Sequence, residues 1–449
     1  MAELARKSAV AMRLRDPNAW RDTVDLFAIL TVASLPWSTS LPAIFSAAML
    51  VCMVPFIDLD AFLKSLKRPV CAAPIALFLL ALVGTLWSDA AWGARLHAVN
   101  PALKLLMLPV LLYHFERSSR GHWVFVAFLV SCALLSVMSW LVVLAPSLSM
   151  KADGQRGIFV KNYIDQSQEF ALCAVALAFP VVKLLREKKY WLAGLLIAVG
   201  LNFFINMAFA IVSRTALVTI PIMLAVFALL HLKWRSVLLI LGGLLVLFLL
   251  AWQASPQLHR TVDTFTSQYQ LYEDQGAATS IGLRLEFWQK SLSFFAEAPI
   301  RGHGTGSTRG LFEKAATGAP DQASSEVIGN PHNQTLNVAV QWGVIGIVIL
   351  YVMWLLHLLL FRGDGLADWV GLLVVVQNIF TSLFNSHLFD FHEGWMYVVG
   401  VGVAGGMVIK ARRADSKAAA STRKLGNQSP DALTTGKRQR DGLSAPTGF

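Results

Sequence analysis

The sequence predicts an all-α polytopic membrane protein with about twelve transmembrane helices and one large outer loop containing amphipathic helices. Composition supports this class, because 56% of the 449 residues are hydrophobic, only 14% are charged, and the mean hydropathy is +0.57. A soluble globular protein of this length is far less apolar. Apolar runs long enough to cross a bilayer also recur along nearly the whole chain.

Each predicted helix corresponds to one apolar run of about 17 to 25 residues, the length that crosses the hydrocarbon core of a bilayer. The runs lie at about 22–38, 40–57, 70–88, 97–114, 122–146, 167–185, 190–210, 213–231, 235–253, 334–361, 367–385 and 394–410. The chain then divides into an N-terminus (1–21), helices one to nine (22–253), the large outer loop (254–332), helices ten to twelve (333–410) and a basic, disordered tail (411–449).

The distribution of Lys and Arg predicts the orientation, because cytoplasmic connections of membrane proteins carry an excess of these residues. If the N-terminus is cytoplasmic, the basic residues of every even-numbered connection and of the tail fall on the same side. Those in the connections are Lys64, Lys67, Arg68, Arg117, Arg120, Arg186, Lys188, Lys189, Lys233, Arg235 and Arg362. Both termini are therefore predicted to be cytoplasmic, and the net charge of +11 reports orientation and not nucleic-acid binding.

Cations on the opposite side are candidates for function, because the positive-inside rule does not explain them. Arg156 and Lys161 lie in the fifth connection, shortly before Gln168, and Arg284 lies in the large outer loop. Arg214 opens the eighth run, where its charge opposes the helix dipole. This placement favours an anionic partner such as a phosphate, which a guanidinium binds through two parallel hydrogen bonds. The alternative for Arg214 is an anchor at the membrane interface.

The large outer loop is predicted to contain an amphipathic helix. Its apolar stripe recurs at helical spacing and consists of Ile281, Leu285, Trp288, Leu292 and Phe295. We expect this helix to lie on the membrane surface or to cap the bundle, with Arg284 beside the stripe. The following segment, GHGTGSTRG, superficially resembles a phosphate-binding loop. It lacks the Lys-Ser/Thr ending of that motif, which favours loop packing.

A histidine marks the start of the tenth predicted helix. Asn330 is a suitable N-cap and Pro331 suits the first helical position, so His332 is predicted to lie in the first turn. The partial positive charge of a helix N-terminus disfavours the imidazolium ion, so His332 is expected to be neutral and able to accept a proton. An amide stripe that must face protein or a watery cavity follows at Asn333, Asn337 and Gln341. His387 and His392, in a later outer turn, are weaker candidates for the base or for metal binding.

These residues resemble a known family. His332-Asn333, nine further residues and then Gly343-x-x-Gly346 match a signature of the bacterial O-antigen ligases, within a group that includes O-antigen polymerases and protein O-oligosaccharyltransferases. The sequence SRTAL around Arg214, and the sequence RLEFW that begins at Arg284 and is followed by PIRGHGTG, are also similar to that group. The resemblance implies transfer of a polysaccharide from undecaprenyl diphosphate to lipid A-core on the periplasmic face of the bacterial inner membrane. It also implies that no metal, nucleotide or other cofactor takes part.

Combined with the resemblance, the residues suggest a mechanism. His332 would be the general base, and Arg214 and Arg284 would stabilise the departing diphosphate, so that a single displacement inverts the anomeric carbon. Further contacts with donor or acceptor are expected from Arg156, Lys161, Gln168, Asn333, Asn337 and Lys104.

Three alternatives remain open at this point. A polymerase would use another lipid-linked glycan as acceptor, and a protein O-oligosaccharyltransferase would use a serine or threonine hydroxyl. A lipid-glycan flippase or exporter would transport the glycan without transferring it. The outer arginines lie near one face and inverted repeats are not apparent, which favours an enzyme over a transporter.

Overall fold

The computed structural model describes residues 17–151, 155–211, 213–231 and 234–427, and these residues are predominantly helical. The helices are α1 (Pro17–Ser34), α2 (Ser40–Met53), α3 (Leu59–Leu66), α4 (Pro69–Val83), α5 (Trp92–Leu103), α6 (Met107–Phe115), α7 (Gly121–Leu144), α8 (Tyr163–Ala176), α9 (Ala178–Arg186), α10 (Tyr190–Phe209), α11 (Arg214–His231), α12 (Trp234–Ala254), α13 (Pro256–Gln275), α14 (Ser280–Glu297), α15 (Thr308–Lys314), α16 (Gln334–Leu360), α17 (Leu366–Thr381) and α18 (Phe391–Asn427). The only β pairing in the described residues is an isolated antiparallel bridge between Ala277 and Gln322.

The predicted apolar runs all overlap helices, which confirms the all-helical class. Seven helical segments are long and apolar enough to cross a membrane: Pro69–Leu86, Trp92–Phe115, Gly121–Leu144, Tyr163–Arg186, Tyr190–Phe209, Gln334–Leu360 and Phe391–Ser421. Shorter apolar helices overlap most of the other predicted runs, so the count of twelve crossings stays a prediction. Helix α18 continues to Asn427, so the first part of the tail predicted to be disordered is helical. Residues 1–16 and 428–449 lie outside the described residues.

Helix α18 lies at the centre of the bundle, packed against α6 and α17. Its glycines allow this close approach, because an added Cβ at Gly402 would lie 2.7 Å from the Leu111 side chain. At Gly406 it would lie 2.8 Å from the backbone of Leu112 and Glu116. Small residues at such contacts let two membrane helices pack backbone to backbone.

One end of the bundle gathers the connections that the sequence predicts to be cytoplasmic. Buried Glu116 accepts two hydrogen bonds from the guanidinium of Arg68, at 2.8 and 3.2 Å, and also pairs with Arg413. Lys410 donates to the carbonyl of Ser118 at 2.8 Å. The second and fourth connections and the start of the tail therefore meet at one end, as the predicted orientation requires.

The large loop covers the opposite end of the bundle, with α14 packed against α16. The buried face of α14 includes Phe287 and Phe294, which form a cluster with Phe312 and Val340. The predicted stripe is therefore offset, and Leu292 is 55% exposed. The predicted stripe and the residues that are actually buried both have helical spacing, and the positions of Phe312 and Val340 determine which of the two is buried.

A short segment of this loop inserts where α16 is kinked. Gly343 has non-helical backbone angles, with φ of 60° and ψ of −154°, which free backbone groups of the helix for other partners. The amide of Val344 donates to the carbonyl of Pro299 at 2.8 Å, and the amide of His303 donates to the carbonyl of Val340 at 2.9 Å. An added Cβ at Gly343 would lie 2.4 Å from the backbone of Ile300, so only glycine fits there.

The glycine-rich segment GHGTG is packed into the bundle. The sequence predicted such packing because the segment lacks the Lys-Ser/Thr ending of a phosphate-binding loop. The Thr305 hydroxyl donates to the carbonyl of Ala81 at 2.6 Å and accepts from the Trp342 indole at 2.8 Å. The Thr305 amide donates to the carbonyl of Gly84 at 3.0 Å. These contacts attach the large loop to the end of α4.

Candidate active site

His332 lies just before α16, in a left-handed backbone conformation with φ of 53°. The predicted helix start is wrong by three residues, because Asn333 is the N-cap and its side chain accepts from the amide of Leu336 at 3.1 Å. The Asn330 side chain instead accepts from the amide of His332 at 3.0 Å and from the Ser386 hydroxyl at 2.6 Å. A non-glycine residue held in this conformation costs about 1 to 3 kcal/mol, and such residues cluster at functional sites.

The His332 ring is oriented by a polar chain. Its Nδ1 lies 2.8 Å from Oδ1 of Asn385, and Nδ2 of Asn385 donates to Oδ2 of Asp390 at 2.7 Å. Because the amide of Asn385 donates to a carboxylate, its oxygen faces the ring and Nδ1 of His332 carries the proton. Nε2 is then an unprotonated acceptor in the neutral ring, and it makes no hydrogen bond with the described residues. Phe287 from α14 stacks on the ring at 6.1 Å between centroids.

The pKa of His332 is lowered from its ordinary value, first by burial and second by the positive charge of Arg284, while the hydrogen bond to Asn385 opposes the shift. The sequence predicted a neutral histidine from the helix dipole, whereas the causes here are desolvation and a neighbouring cation. Burial also raises the pKa of Asp390 to about 7, against the effect of the Lys104 ammonium. The ring is therefore suited to accept a proton near neutral pH.

Arg284 is a predicted cation whose charge acts on this base. It is half-buried on α14, one helical turn before Phe287, and its charge lowers the pKa of both His332 and His387. Arg214 begins α11, directly after buried Ser213, but its side chain lies outside the described part of the structure. A contact between Arg214 and a diphosphate stays a prediction.

The fifth connection and α8 place two predicted contact residues in a buried polar layer. The Lys161 ammonium donates to the carbonyl of Leu35 and lies 3.8 Å from the Glu169 carboxylate. Gln168 is fully buried, and its side-chain oxygen accepts from Nε2 of Gln377 at 2.9 Å. Both side chains hold helices together, so contact of either with substrate stays a prediction. Arg156 is exposed in the same connection.

Lys104 supports the turn that carries Asn385 and Asp390. Its ammonium donates to the carbonyls of Phe389, at 3.0 Å, and Asp390, and its side chain is buried. Lys104 thus stabilises the hydrogen-bonded side chains that orient His332. A direct contact of Lys104 with phosphate stays a prediction.

The predicted amide stripe faces protein. Asn337 donates to the Ser386 hydroxyl at 3.1 Å, and Gln341 donates to Oδ1 of Asn337 at 2.8 Å. Oε1 of Gln341 accepts from the amide of Gly306 at 2.9 Å. The stripe therefore connects the turn after α17 with the inserted loop segment.

The turn that follows α17 contains the functional residues that sequence reasoning did not connect to His332. Asn385 lies 53 positions along the chain from His332, so only the fold brings their side chains together. The sequence feature that could have pointed to these residues is the density of polar side chains in NSHLFDFHEGW. At the start of α18, His392 pairs with Asp165 of α8 at 2.6 Å, while His387 of the turn lies 3.9 Å from Glu393.

Three residues of this turn could hold a cation. His387, Asp390 and Glu393 each offer a ligand atom, and these atoms lie within 4.8 Å of one another. Two carboxylates and one imidazole are suitable ligands for several divalent metals. The Lys104 ammonium already supplies positive charge beside Asp390. The absence of a metal from the reaction stays a prediction.

Comparison with known proteins supports the resemblance carried by His332 and its neighbours. A search of curated proteins found no match. A family model described as O-antigen ligase matches residues 199–351, a range that includes Arg214, Arg284, His332 and the kink at Gly343. Residues 199–351 of this membrane protein, about a third of the chain, are therefore similar to the O-antigen ligase family.

Proposed function

We propose that the protein is an O-antigen ligase that transfers a polysaccharide from undecaprenyl diphosphate to a sugar hydroxyl of lipid A-core. The observation that carries this proposal is the oriented His332 ring, with Nδ1 held by Asn385 and Nε2 left as an acceptor. A transferase of this kind needs a base that removes a hydroxyl proton and a cation that stabilises the leaving group. His332 and Arg284 would supply these two groups within one partly buried site.

The proposed reaction is a single displacement. The acceptor hydroxyl gives its proton to Nε2 of His332 while its oxygen forms a bond to the anomeric carbon of the donor. The bond between that carbon and the diphosphate oxygen breaks, and the diphosphate keeps the electron pair. Arg284 and Arg214 would stabilise the charge on the diphosphate, and the anomeric configuration would invert.

The hydrogen bonds around His332 suit this role. When Nε2 takes up the proton, the ring becomes an imidazolium ion whose Nδ1–H still donates to Asn385. Asn385 in turn donates to Asp390, whose carboxyl group polarises the amide and, in its ionised form, favours the new positive charge. Phe287 and the loop helix α14 cover the ring on one side and limit its contact with water.

The placement of the reaction follows from the predicted orientation. His332 lies at the end of the bundle opposite the basic connections around Glu116, which supports a site on the periplasmic face of the inner membrane. The donor and acceptor lipids would reach it from the outer leaflet.

Reconstitution of the purified full-length protein in proteoliposomes tests the proposal. The donor would be a polysaccharide on undecaprenyl diphosphate, offered with lipid A-core, with a second donor molecule or with a serine-containing acceptor peptide, with and without chelator. Transfer to lipid A-core supports the ligase proposal. Transfer only to the second donor or to the peptide identifies a polymerase or a protein glycosylating enzyme instead. Translocation without transfer identifies a transporter.

A further inference from the structure

A second site lies at the end of the bundle opposite His332, where α9, α11 and the start of α17 enclose a cavity of about 880 Å³. Its apolar walls include Phe179, Phe227 and Leu230. Three cations, Lys183, Arg186 and Lys189, line the same cavity, together with the acids Glu187 and Asp364. Such a combination of hydrocarbon walls and a basic rim suits an amphiphile with an anionic head group.

The local backbone fixes this basic rim. Helix α9 ends in a turn in which the amide of Lys189 donates to the carbonyl of Leu184 at 2.9 Å and the amide of Lys188 donates to that of Leu185 at 3.1 Å. Lys188 adopts the left-handed conformation, with φ of 59°, that usually requires glycine at a helix end. Lys189 pairs with Glu187 at 2.8 Å, whereas neither Lys183 nor Arg186 forms an ion pair within the described residues. Among the described residues, these two are the lining cations that form no ion pair.

Aromatic residues indicate that the rim lies at the depth of lipid head groups. Tyr190 and Trp191 follow directly after Lys189 and are among the most exposed large side chains, at 65% and 83%. Tyr and Trp concentrate at membrane–water interfaces. Because this end also carries the basic connections, the interface is predicted to be the cytoplasmic one.

A second, almost wholly apolar cavity of about 390 Å³ adjoins the first, and Pro180 and Leu366 line both. It follows α17 from Leu366 to Val374, a distance of about 12 Å along the helix axis. This length approaches the roughly 15 Å of hydrocarbon in one leaflet. The walls include Leu129 of α7 and Leu177 between α8 and α9.

From these adjoining cavities we infer a binding site for one anionic phospholipid of the cytoplasmic leaflet. The lipid phosphate lies between Lys183 and Arg186, and one acyl chain lies along Leu366, Val370 and Val374. The site is independent of the proposed transferase chemistry, because it lies at the other end of the bundle from His332. The lipid would tie α9 and α11 to α17, which packs against the central helix α18.

Native mass spectrometry of the full-length protein in detergent tests this site, with phosphatidylglycerol as the anionic probe and phosphatidylcholine as the neutral one. We expect one phosphatidylglycerol to bind preferentially. The double variant Lys183→Gln/Arg186→Gln should bind it about thirtyfold more weakly, the effect expected for two lost cations. The matched control Lys64→Gln/Lys67→Gln removes two exposed cations from a connection predicted on the same side, and its affinity should change less than about twofold.

The groove is tested separately by Val370→Phe, which fills it without changing charge and should also weaken binding of phosphatidylglycerol. If that variant does not fold, the charge variants alone decide. Equal affinity for the two lipids, or unchanged affinity in the Lys183/Arg186 variant, would overturn the inference. Displacement of phosphatidylglycerol by an equal concentration of undecaprenyl phosphate would also overturn it, because the groove would then belong to the donor lipid.

Discussion

Nδ1 of His332 lies 2.8 Å from Oδ1 of Asn385, although the two residues belong to different connections of the bundle. This contact fixes which ring nitrogen carries the proton and leaves the other to accept one. It also connects the histidine to the carboxylate of Asp390 through a single amide. The proposed base therefore has an orienting partner, as a general base usually requires.

Replacement of Asn385 by Ala should lower kcat about tenfold to a hundredfold with little change in KM, because the ring loses its orientation but substrate contacts remain. Asn385→Asp should retain more activity, since a carboxylate still accepts from Nδ1. The negative charge of that variant should raise the pKa of His332 and move the acid limb of the activity profile to higher pH. Equal kinetics and equal pH profiles for the wild type and both variants would show that Asn385 only packs the turn.

Arg284→Gln should change both rate and pH dependence. A neutral His332 is the active form, so activity falls as pH falls through its pKa, which burial and Arg284 hold below the ordinary value of 6.5. Without the positive charge of Arg284, that pKa rises and the acid limb moves to higher pH. We also expect kcat to fall about a hundredfold to a thousandfold. Arg309→Gln is the control, because this exposed cation of the same loop pairs with Glu313.

Arg214→Lys tests whether a planar guanidinium is needed at the start of α11. If Arg214 binds the diphosphate through two parallel hydrogen bonds, the lysine variant should lose most activity although the charge is kept. Transfer rates at saturating donor provide the measurement. A lysine variant with nearly normal rates would indicate that only charge, or anchoring at the interface, matters there.

Gly343→Ala should destabilise the fold by about 3 kcal/mol, because the added methyl group meets the backbone of Ile300 and the residue has a positive φ. The inserted segment would then separate from α16. Gly194→Ala is the matched control, since nothing lies within 4 Å of its added Cβ and alanine favours a helix. Thermal unfolding in detergent should show a lower Tm for the first variant only. Similar Tm values would mean that the kink does not hold the loop.

The sequence predicted the features that depend on local patterns. Apolar runs predicted the helices, and the excess of Lys and Arg predicted which connections meet around Glu116. The motif at His332 indicated a resemblance to the family whose model also matches residues 199–351. The apolar runs, the Lys and Arg distribution and the motif can be read from a single sequence, because each is a local property of the chain.

Features that depend on contacts between distant segments could not be predicted. The partner of His332 lies beyond α16 and α17, and the pKa of His332 is lowered by burial and by the charge of Arg284, which the sequence did not place beside it. The buried face of α14 is offset from the predicted stripe. Two sets of apolar residues on this helix have the same spacing, and the set that packs against Phe312 is the buried one. The sequence predicted a substrate contact for Lys104 but did not show that its ammonium donates to backbone carbonyls of a turn far along the chain.

The most direct test of the proposed base compares transfer by the wild type and His332→Ala in proteoliposomes, with donor binding and Tm measured on the same samples. We predict that the variant binds the donor and unfolds near the wild-type temperature, while its transfer rate falls about a hundredfold to ten-thousandfold. A transfer rate equal to that of the wild type would contradict the assignment of His332 as the base.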